Sequence, residues 1–93
     1  PGIFIGREDD NDIQFLSEGV SQYHAKMMFE DDEWVIYDLD SSNGTKVNGN
    51  KISKPVPLKP GDMIYIGSEA FKIEFFENDK SGKEKESSLK KDD

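Results

Sequence analysis

Hydrophobic and polar residues alternate along most of the first 76 positions, with a period of two and without the 3.6-residue stripe of a helix. Alternation of this kind indicates strands that bury one face. Short strands separated by regularly spaced turns indicate an all-β sandwich. We therefore predict a two-sheet antiparallel β-sandwich with strands at residues 3–5, 13–16, 23–29, 34–39, 45–47, 51–52, 63–66 and 70–76.

The sequence makes a specific prediction for two of the connections between strands. Asn48-Gly49 lies between short strands and favours a type I′ turn, because both residue types tolerate positive φ. The stretch from Pro55 to Pro60 is predicted to be an extended connector, because proline cannot donate to a strand ladder.

The end of the chain has a different composition. Residues 77–93 contain five lysines and six acidic residues, and Leu89 is the single apolar residue. Such a segment cannot bury enough apolar surface to fold. We predict one sandwich domain at residues 1–76 and a polar, charged and disordered tail or linker at residues 77–93.

Composition excludes several classes of function. The 93 residues carry a net charge of −8 and include no cysteine. Nucleic-acid binding requires basic surface, and disulfides or thiolate zinc sites require cysteine. No apolar run approaches the roughly 20 residues of a membrane helix. We expect an intracellular, cytoplasmic protein with neither a nucleic-acid nor a membrane partner.

Candidate chemistry lies at the predicted strand ends, where a rigid scaffold places binding residues. Arg7 supplies a guanidinium, which can bond two phosphate oxygens at once. Ser21, Ser42 and Asn43 add hydroxyls and an amide. With no nucleophile motif or metal-spaced histidines, this set suits holding an anion. We predict no enzyme, no cofactor and no metal.

A calcium loop is the metal site that the pattern partly imitates. Asp38, Asp40 and Ser42 have the spacing of the first half of an EF-hand. Asn43 then stands where that loop requires glycine, and Gly49 stands where it requires a bidentate glutamate. The calcium reading therefore fails.

Five short motifs, taken together and in this order, resemble the forkhead-associated (FHA) domain family. The resemblance covers about residues 3–76. It implies a β-sandwich whose loops at one end bind phosphothreonine in partner proteins. The motifs are Gly6-Arg7, Ser21-x-x-His24, Ser42-Asn43-Gly44-Thr45, Asn48-Gly49 and Gly61-Asp62.

The resemblance also implies roles for individual residues. The implied phosphopeptide-binding residues are Arg7, Ser21, Gln22, Ser42 and Asn43, and the implied supporting residues are Gly6, His24, Gly44 and Thr45. Within this set, Arg7 follows a glycine, which would give its backbone freedom for an abrupt exit. His24 is the only histidine. The resemblance implies that it holds the loop around Ser21 in shape, and a catalytic role is not expected because acid–base catalysis needs a positioned partner.

Two functions remain open from the sequence. The first is a phosphothreonine-binding adaptor module in a larger signalling protein, and the alternative is a phospho-independent interaction or oligomerisation scaffold. The family usually has one or two strands before the Gly-Arg strand, but five residues precede Gly6 here. Two alternatives follow: either the usual first strand is missing, or a free sheet edge pairs with a second copy in a strand-sharing homodimer.

Overall fold

The computed structural model describes residues 2–74, which form nine strands and no helix. The predicted tail at 77–93 and the predicted end of the last strand at 75–76 lie outside the described residues. The strands are β1 (Gly2–Gly6), β2 (Ile13–Gln14), β3 (Ala25–Glu30), β4 (Glu33–Asp38), β5 (Thr45–Val47), β6 (Asn50–Lys51), β7 (Val56–Pro57), β8 (Met63–Ile66) and β9 (Glu69–Lys72).

The strands form two sheets, so the predicted all-β two-sheet fold is confirmed. The first sheet has the order β2-β1-β3-β4-β7 and the second has the order β6-β5-β8-β9. Neighbouring strands are antiparallel except β1 and β2, which run parallel with Ile5 opposite Ile13. The turn between β5 and β6 has positive φ at both Asn48 (54°) and Gly49 (88°), as a type I′ turn requires.

The core lies between the two sheets. Ile5, Ala25 and Ile36 of the first sheet are fully buried, as are Ile64 and Ile66 of the second. Burying each large aliphatic side chain contributes about 1.5–3 kcal/mol. This core gives the sandwich a firm frame on which loops of irregular structure can be held.

The third strand begins later than the alternation predicts. β3 starts at Ala25, so His24 lies in the preceding loop and Tyr23 is 47% exposed. The reason is a pair of backbone hydrogen bonds made by residues that come shortly before His24. The carbonyls of Ser21 and Gln22 accept from the N–H groups of Arg7 and Glu8 at 2.9 and 3.2 Å, which draws the chain into the loop after β1.

The proline-bearing connector contains a strand that the sequence analysis missed. β7 pairs with β4, with Val56 opposite Ile36 and Pro57 opposite Val35. β7 is the outer strand of the first sheet, and proline is tolerated at such an edge because its missing N–H faces away from the ladder.

The first strand is not the free edge that we predicted. β1 lies inside the sheet, between β2 and β3. Its Ile5 and Gly6 pair with β2 on one side, and the N–H of Phe4 donates to the Asp12 carboxylate at 2.8 Å. The loop after β1 therefore returns to cover the side of the strand that the prediction left open.

Candidate functional site

Three loops meet at one end of the sandwich, because β1 and β4 end there while β3 and β5 begin there. They are residues 7–12 (the Arg7 loop), residues 15–24 (the serine loop) and residues 39–44 (the asparagine loop). Between the loops lies an open pocket of about 520 Å³. All five residues predicted to bind a phosphopeptide line it: Arg7, Ser21, Gln22, Ser42 and Asn43. The four predicted supporting residues are all buried: Gly6, His24, Gly44 and Thr45.

Arg7, the only arginine of the chain, is the fixed cation of the pocket. Its backbone N–H donates to the Ser21 carbonyl at 2.9 Å, and its side-chain Nε donates to the Val20 carbonyl at 3.1 Å. Among residues 2–74, the guanidinium makes no other hydrogen bond. Its two terminal nitrogens can therefore form the paired bonds that a phosphate group accepts.

Gly6 supports Arg7 for a reason different from the predicted backbone freedom. Its φ is not in the left-handed region. A Cβ atom at this position would lie 2.2 Å from the Gln22 carbonyl oxygen and 2.8 Å from Asn11 Nδ2. Glycine is required because the serine loop passes directly against the end of β1.

The serine and asparagine loops are joined by hydrogen bonds that leave useful groups unengaged. The Ser42 N–H donates to Ser21 Oγ at 3.0 Å, so the Ser21 hydroxyl proton remains able to donate. Asn43 Nδ2 donates to the Gly19 carbonyl at 3.1 Å, and its amide oxygen is left as an acceptor. These contacts provide one donor and one acceptor beside the guanidinium.

Gln22 is less available than the sequence suggests. Its side chain is exposed, but its amide donates to the Glu8 carboxylate at 3.2 Å. A second amide hydrogen remains for a ligand. Gln22 therefore forms part of the pocket wall and is also tied to an acidic neighbour.

His24 is fully buried beneath the pocket and joins the two loops. Its Nδ1 accepts from the Ser21 N–H at 3.0 Å, and its Nε2 donates to the Gly44 carbonyl at 2.9 Å. These partners require the neutral tautomer with the proton on Nε2. Both ring nitrogens are therefore occupied in positioning the loops.

Asp38, at the end of β4, organises the asparagine loop and was not identified from the sequence. Its carboxylate accepts from the Thr45 hydroxyl at 2.7 Å, from the Ser41 N–H at 3.1 Å and from the Ser41 hydroxyl. The Ser41 hydroxyl oxygen in turn accepts from the Gly44 N–H at 3.0 Å. Aspartate is favoured at the first position of a turn, because its side chain can bond the backbone that follows, and this preference is the signal that could have identified Asp38.

Burial alone would raise the pKa of Asp38, but its hydrogen bonds from Ser41 and Thr45 outweigh that effect. The net result is a pKa below the ordinary value of 3.8. The carboxylate is therefore ionised at neutral pH and available as an acceptor.

Asn11 is a second supporting residue that the sequence analysis missed. It is 8% exposed, and its Nδ2 donates to the carbonyls of Glu8 and Gln22, both at 2.9 Å. It thus fixes the Arg7 loop to the serine loop. Its position in a run of acidic residues gave no signal of burial.

Metal-binding side-chain clusters and membrane-spanning helices are both absent from residues 2–74. No group of three or more His, Cys, Asp or Glu side chains is arranged to hold a metal ion there. In the same part of the chain, no helix has the length and apolar character needed to cross a membrane.

Comparison with known families decides the classification. A family model described as the FHA domain matches residues 3–67, which is more than half of the chain. The chain belongs to the FHA-domain family. The matched region includes Arg7, the serine loop and the asparagine loop of this FHA domain.

The FHA domain is similar to segments of longer proteins. Over 67 residues it is 43% identical to the transcriptional regulatory protein EmbR of Mycobacterium tuberculosis, covering 72% of this chain and 17% of EmbR. Over 70 residues it is 38% identical to the proliferation marker protein Ki-67 of Homo sapiens, covering 75% of this chain and 2% of Ki-67. The chain spans less than half the length of each of these curated relatives.

Solved structures give the same classification. EmbR of Mycobacterium tuberculosis in complex with a low affinity phosphopeptide superposes with a TM-score of 0.76 at 40% identity, covering 78% of this chain and 19% of that chain. An FHA domain of an Arabidopsis thaliana protein superposes with a TM-score of 0.79 at 34% identity, covering 88% and 73%. A structure from a study of phosphothreonine-dependent FHA domain interactions has a TM-score of 0.76 at 28% identity, covering 82% and 78%.

Proposed function

We propose that this FHA domain is a phosphopeptide-binding adaptor module that recognises phosphothreonine in partner proteins. One observation carries the proposal: the five exposed or half-buried candidate residues line a single open pocket, and buried neighbours hold their loops. The relatives are longer proteins, and EmbR has been solved with a phosphopeptide. We place the domain in a larger signalling protein.

The proposed binding mode follows from the groups that are left unengaged. A phosphothreonine carries about −1.5 to −2 charge at neutral pH. The terminal nitrogens of Arg7 bond two phosphate oxygens, and the Ser21 hydroxyl donates to a third. Each charge-assisted bond contributes about 1.5–3 kcal/mol. Ser42 and Asn43 lie beside the peptide backbone, where the Asn43 amide oxygen accepts from an N–H group.

The acidic composition does not prevent this binding. The chain carries a net charge of −8, but charges more than about 8 Å apart are largely screened at physiological salt. Arg7 would be in direct contact with the phosphate, so its attraction outweighs the repulsion from distant carboxylates. The excess acidic charge slows association rather than abolishing it.

The same proposal includes what the domain does not do. We propose that it is not an enzyme and uses no cofactor or metal, and the engagement of both His24 nitrogens supports this. A net charge of −8 argues against a nucleic-acid partner and against an anionic membrane surface. The absence of cysteine from the sequence is in keeping with an intracellular, cytoplasmic location.

The test is a titration with matched peptides that differ at one threonine. Phosphothreonine peptides from a degenerate library are expected to bind, while the unphosphorylated peptides do not and the phosphoserine peptides bind more weakly. Arg7→Ala is expected to reduce affinity at least 100-fold, because two charge-assisted bonds are lost. Arg7→Lys keeps the charge but loses the paired geometry, so it should recover only part of the affinity.

Lys72→Ala is the matched control, since Lys72 is an exposed cation on β9 outside the pocket. It should leave affinity unchanged. Binding that does not depend on the phosphate, or that survives Arg7→Ala, would contradict the adaptor proposal and favour the phospho-independent scaffold.

One observation keeps that alternative in view. Within residues 2–74, β9 is the outermost strand of the second sheet and pairs with β8 on one side only. A strand with one free side can accept another chain as an added strand, including a second copy in a homodimer. Light scattering measures this directly, and a strict monomer across the concentration range would exclude the homodimer.

A further inference from the structure

We propose that the pocket selects phosphothreonine peptides with lysine or arginine beside the phosphothreonine, and that Asp40 is the main specificity-determining residue. Glu8 and Asp10 assist it. This inference rests on the proposed phosphopeptide function and adds the chemical class of the preferred partner: basic flanks and not acidic ones.

Asp40 lies in the asparagine loop, at the wall of the pocket. It lines the same pocket as Ser42 and Asn43, its side chain is exposed, and its backbone has a positive φ of 58°. Within residues 2–74 its carboxylate takes part in no hydrogen bond, unlike that of Asp38. A charged group with no internal partner at a pocket wall is available to act on what enters the pocket.

Glu8 and Asp10 bring negative charge next to two residues of the pocket lining, Gln22 and Tyr23. Glu8 accepts from the Gln22 amide at 3.2 Å, and Asp10 accepts from the Tyr23 hydroxyl at 3.1 Å. Gln22 and Tyr23 both line the pocket. These hydrogen bonds hold the two carboxylates beside lining residues of the pocket, and among residues 2–74 the Arg7 side chain donates to the Val20 carbonyl and to neither carboxylate.

The balance of charge decides the preference. Arg7 is fully used by the phosphate, which leaves the three carboxylates to act on the flanking residues. An extended peptide advances about 3.3 Å per residue, so the two nearest neighbours of the phosphothreonine pass beside the pocket walls, at separations from these carboxylates of about the screening length of 8 Å. At such separations each carboxylate should change the ratio of the affinities for a lysine and a glutamate neighbour by about two- to threefold.

The experiment compares three phosphothreonine peptides that differ only at the residues next to the phosphothreonine: lysine, alanine or glutamate. Affinity should fall in that order, with about a tenfold difference between the lysine and glutamate peptides. Relative to the alanine peptide, added salt should weaken binding of the lysine peptide and strengthen binding of the glutamate peptide, because screening acts with opposite sign on the two flanking charges.

Asp40→Asn is the decisive variant, because asparagine keeps the shape and tolerates positive φ. It should reduce the ratio of the affinities for the lysine and glutamate peptides by about threefold, and Glu8→Gln should reduce the same ratio by about twofold. Asp32→Asn is the matched control. Asp32 is also an exposed aspartate with positive φ (67°), but it lies at the turn after β3, about 20 Å away along the strand.

Each outcome bears on the inference. Equal affinity of the three phosphopeptides, or an effect of Asp32→Asn as large as that of Asp40→Asn, would overturn it while leaving the phosphothreonine function intact. Failure of all three phosphopeptides to bind would overturn the proposed function as well.

Discussion

The two ends of β5 carry similar hydrogen-bond networks, but the two networks have different roles. At the pocket end, Asp38 accepts from Ser41 and Thr45. At the far end, Asp62 accepts from the Asn48 amide at 2.9 Å and from the Lys59 N–H at 2.8 Å. In each network an aspartate draws neighbouring loops together, and in each its pKa lies below 3.8.

The two networks differ in the residues that lie next to them. The pocket end adds a fully buried histidine between two loops, and above it lie the exposed Arg7, Ser42 and Asn43. The far end fixes a tight turn with Asn48 at φ 54°. The same kind of carboxylate network therefore supports a binding surface at one end and only a hairpin at the other. The two ends can be separated by experiment, since both should affect stability but one alone should affect binding.

The largest expected effect comes from removing one aspartate at a time. Asp38→Ala leaves three donors without their acceptor, so we expect about 2–4 kcal/mol less free energy of unfolding and at least a tenfold loss of phosphopeptide affinity. Asp62→Ala should cost about 1–3 kcal/mol with unchanged affinity. Chemical denaturation and peptide titration of both variants measure the two quantities.

An equal loss of phosphopeptide affinity in both variants would contradict the proposed difference between the two ends of β5. It would mean that general loosening of the sandwich, and not the pocket network, governs binding.

The next largest effect should come from His24 at the pocket end and Asn48 at the far end, each of which makes two side-chain hydrogen bonds. His24→Ala should lower stability by about 2–3 kcal/mol and weaken binding about tenfold, because the Ser21 and Gly44 loops lose their link. Asn48→Gly removes two bonds at the far end, to Asp62 and Met63, while suiting its positive φ. It should lower stability and leave binding intact.

The scaffold role of His24 would be wrong if His24→Ala abolished binding while thermal stability and the order of the loops stayed unchanged. Nuclear magnetic resonance of the variant without peptide reports loop order independently of affinity.

The smallest expected effect is the dependence of stability on pH. Because Asp38 and Asp62 have lowered pKa values in the folded domain, their contribution is complete above the ordinary value of 3.8 and is lost as the pH falls through the lowered values. The loss of these two contributions should make the free energy of unfolding decline below about pH 4. Asp38→Ala and Asp62→Ala should each make that decline shallower, and an unchanged slope would contradict the assigned hydrogen bonds.

The fold was largely predictable because its strands obey a local rule. Alternation identified the positions of β4, β5 and β8, and Asn-Gly identified the turn at Asn48. The failures occurred where tertiary contacts override local pattern. β7 was missed because Pro57 pairs only as an edge residue, and the start of β3 moved because the Ser21 loop bonds to Arg7.

The exposed residues of the candidate site were predicted more completely than its buried support. The resemblance named Arg7, Ser21, Gln22, Ser42 and Asn43, and the structure brings all five to one pocket. The buried support was only partly found, because Asp38 and Asn11 act through contacts with loops distant in sequence. Gly6 was named for the wrong reason, since the neighbour that forbids a Cβ atom is Gln22, which no local pattern reveals.

The most direct test of the central claim uses two asparagine side chains as reporters. Asn43 and Asn48 are both exposed, and each donates from Nδ2 to an internal acceptor, Gly19 or Asp62. On titration with a phosphothreonine peptide, the account predicts a shift of the Asn43 side-chain NH₂ resonances in a ¹⁵N spectrum, no shift of those of Asn48, and no shift of either in Arg7→Ala. Movement of Asn48 with Asn43 unmoved, or a response to the unphosphorylated peptide, would contradict it.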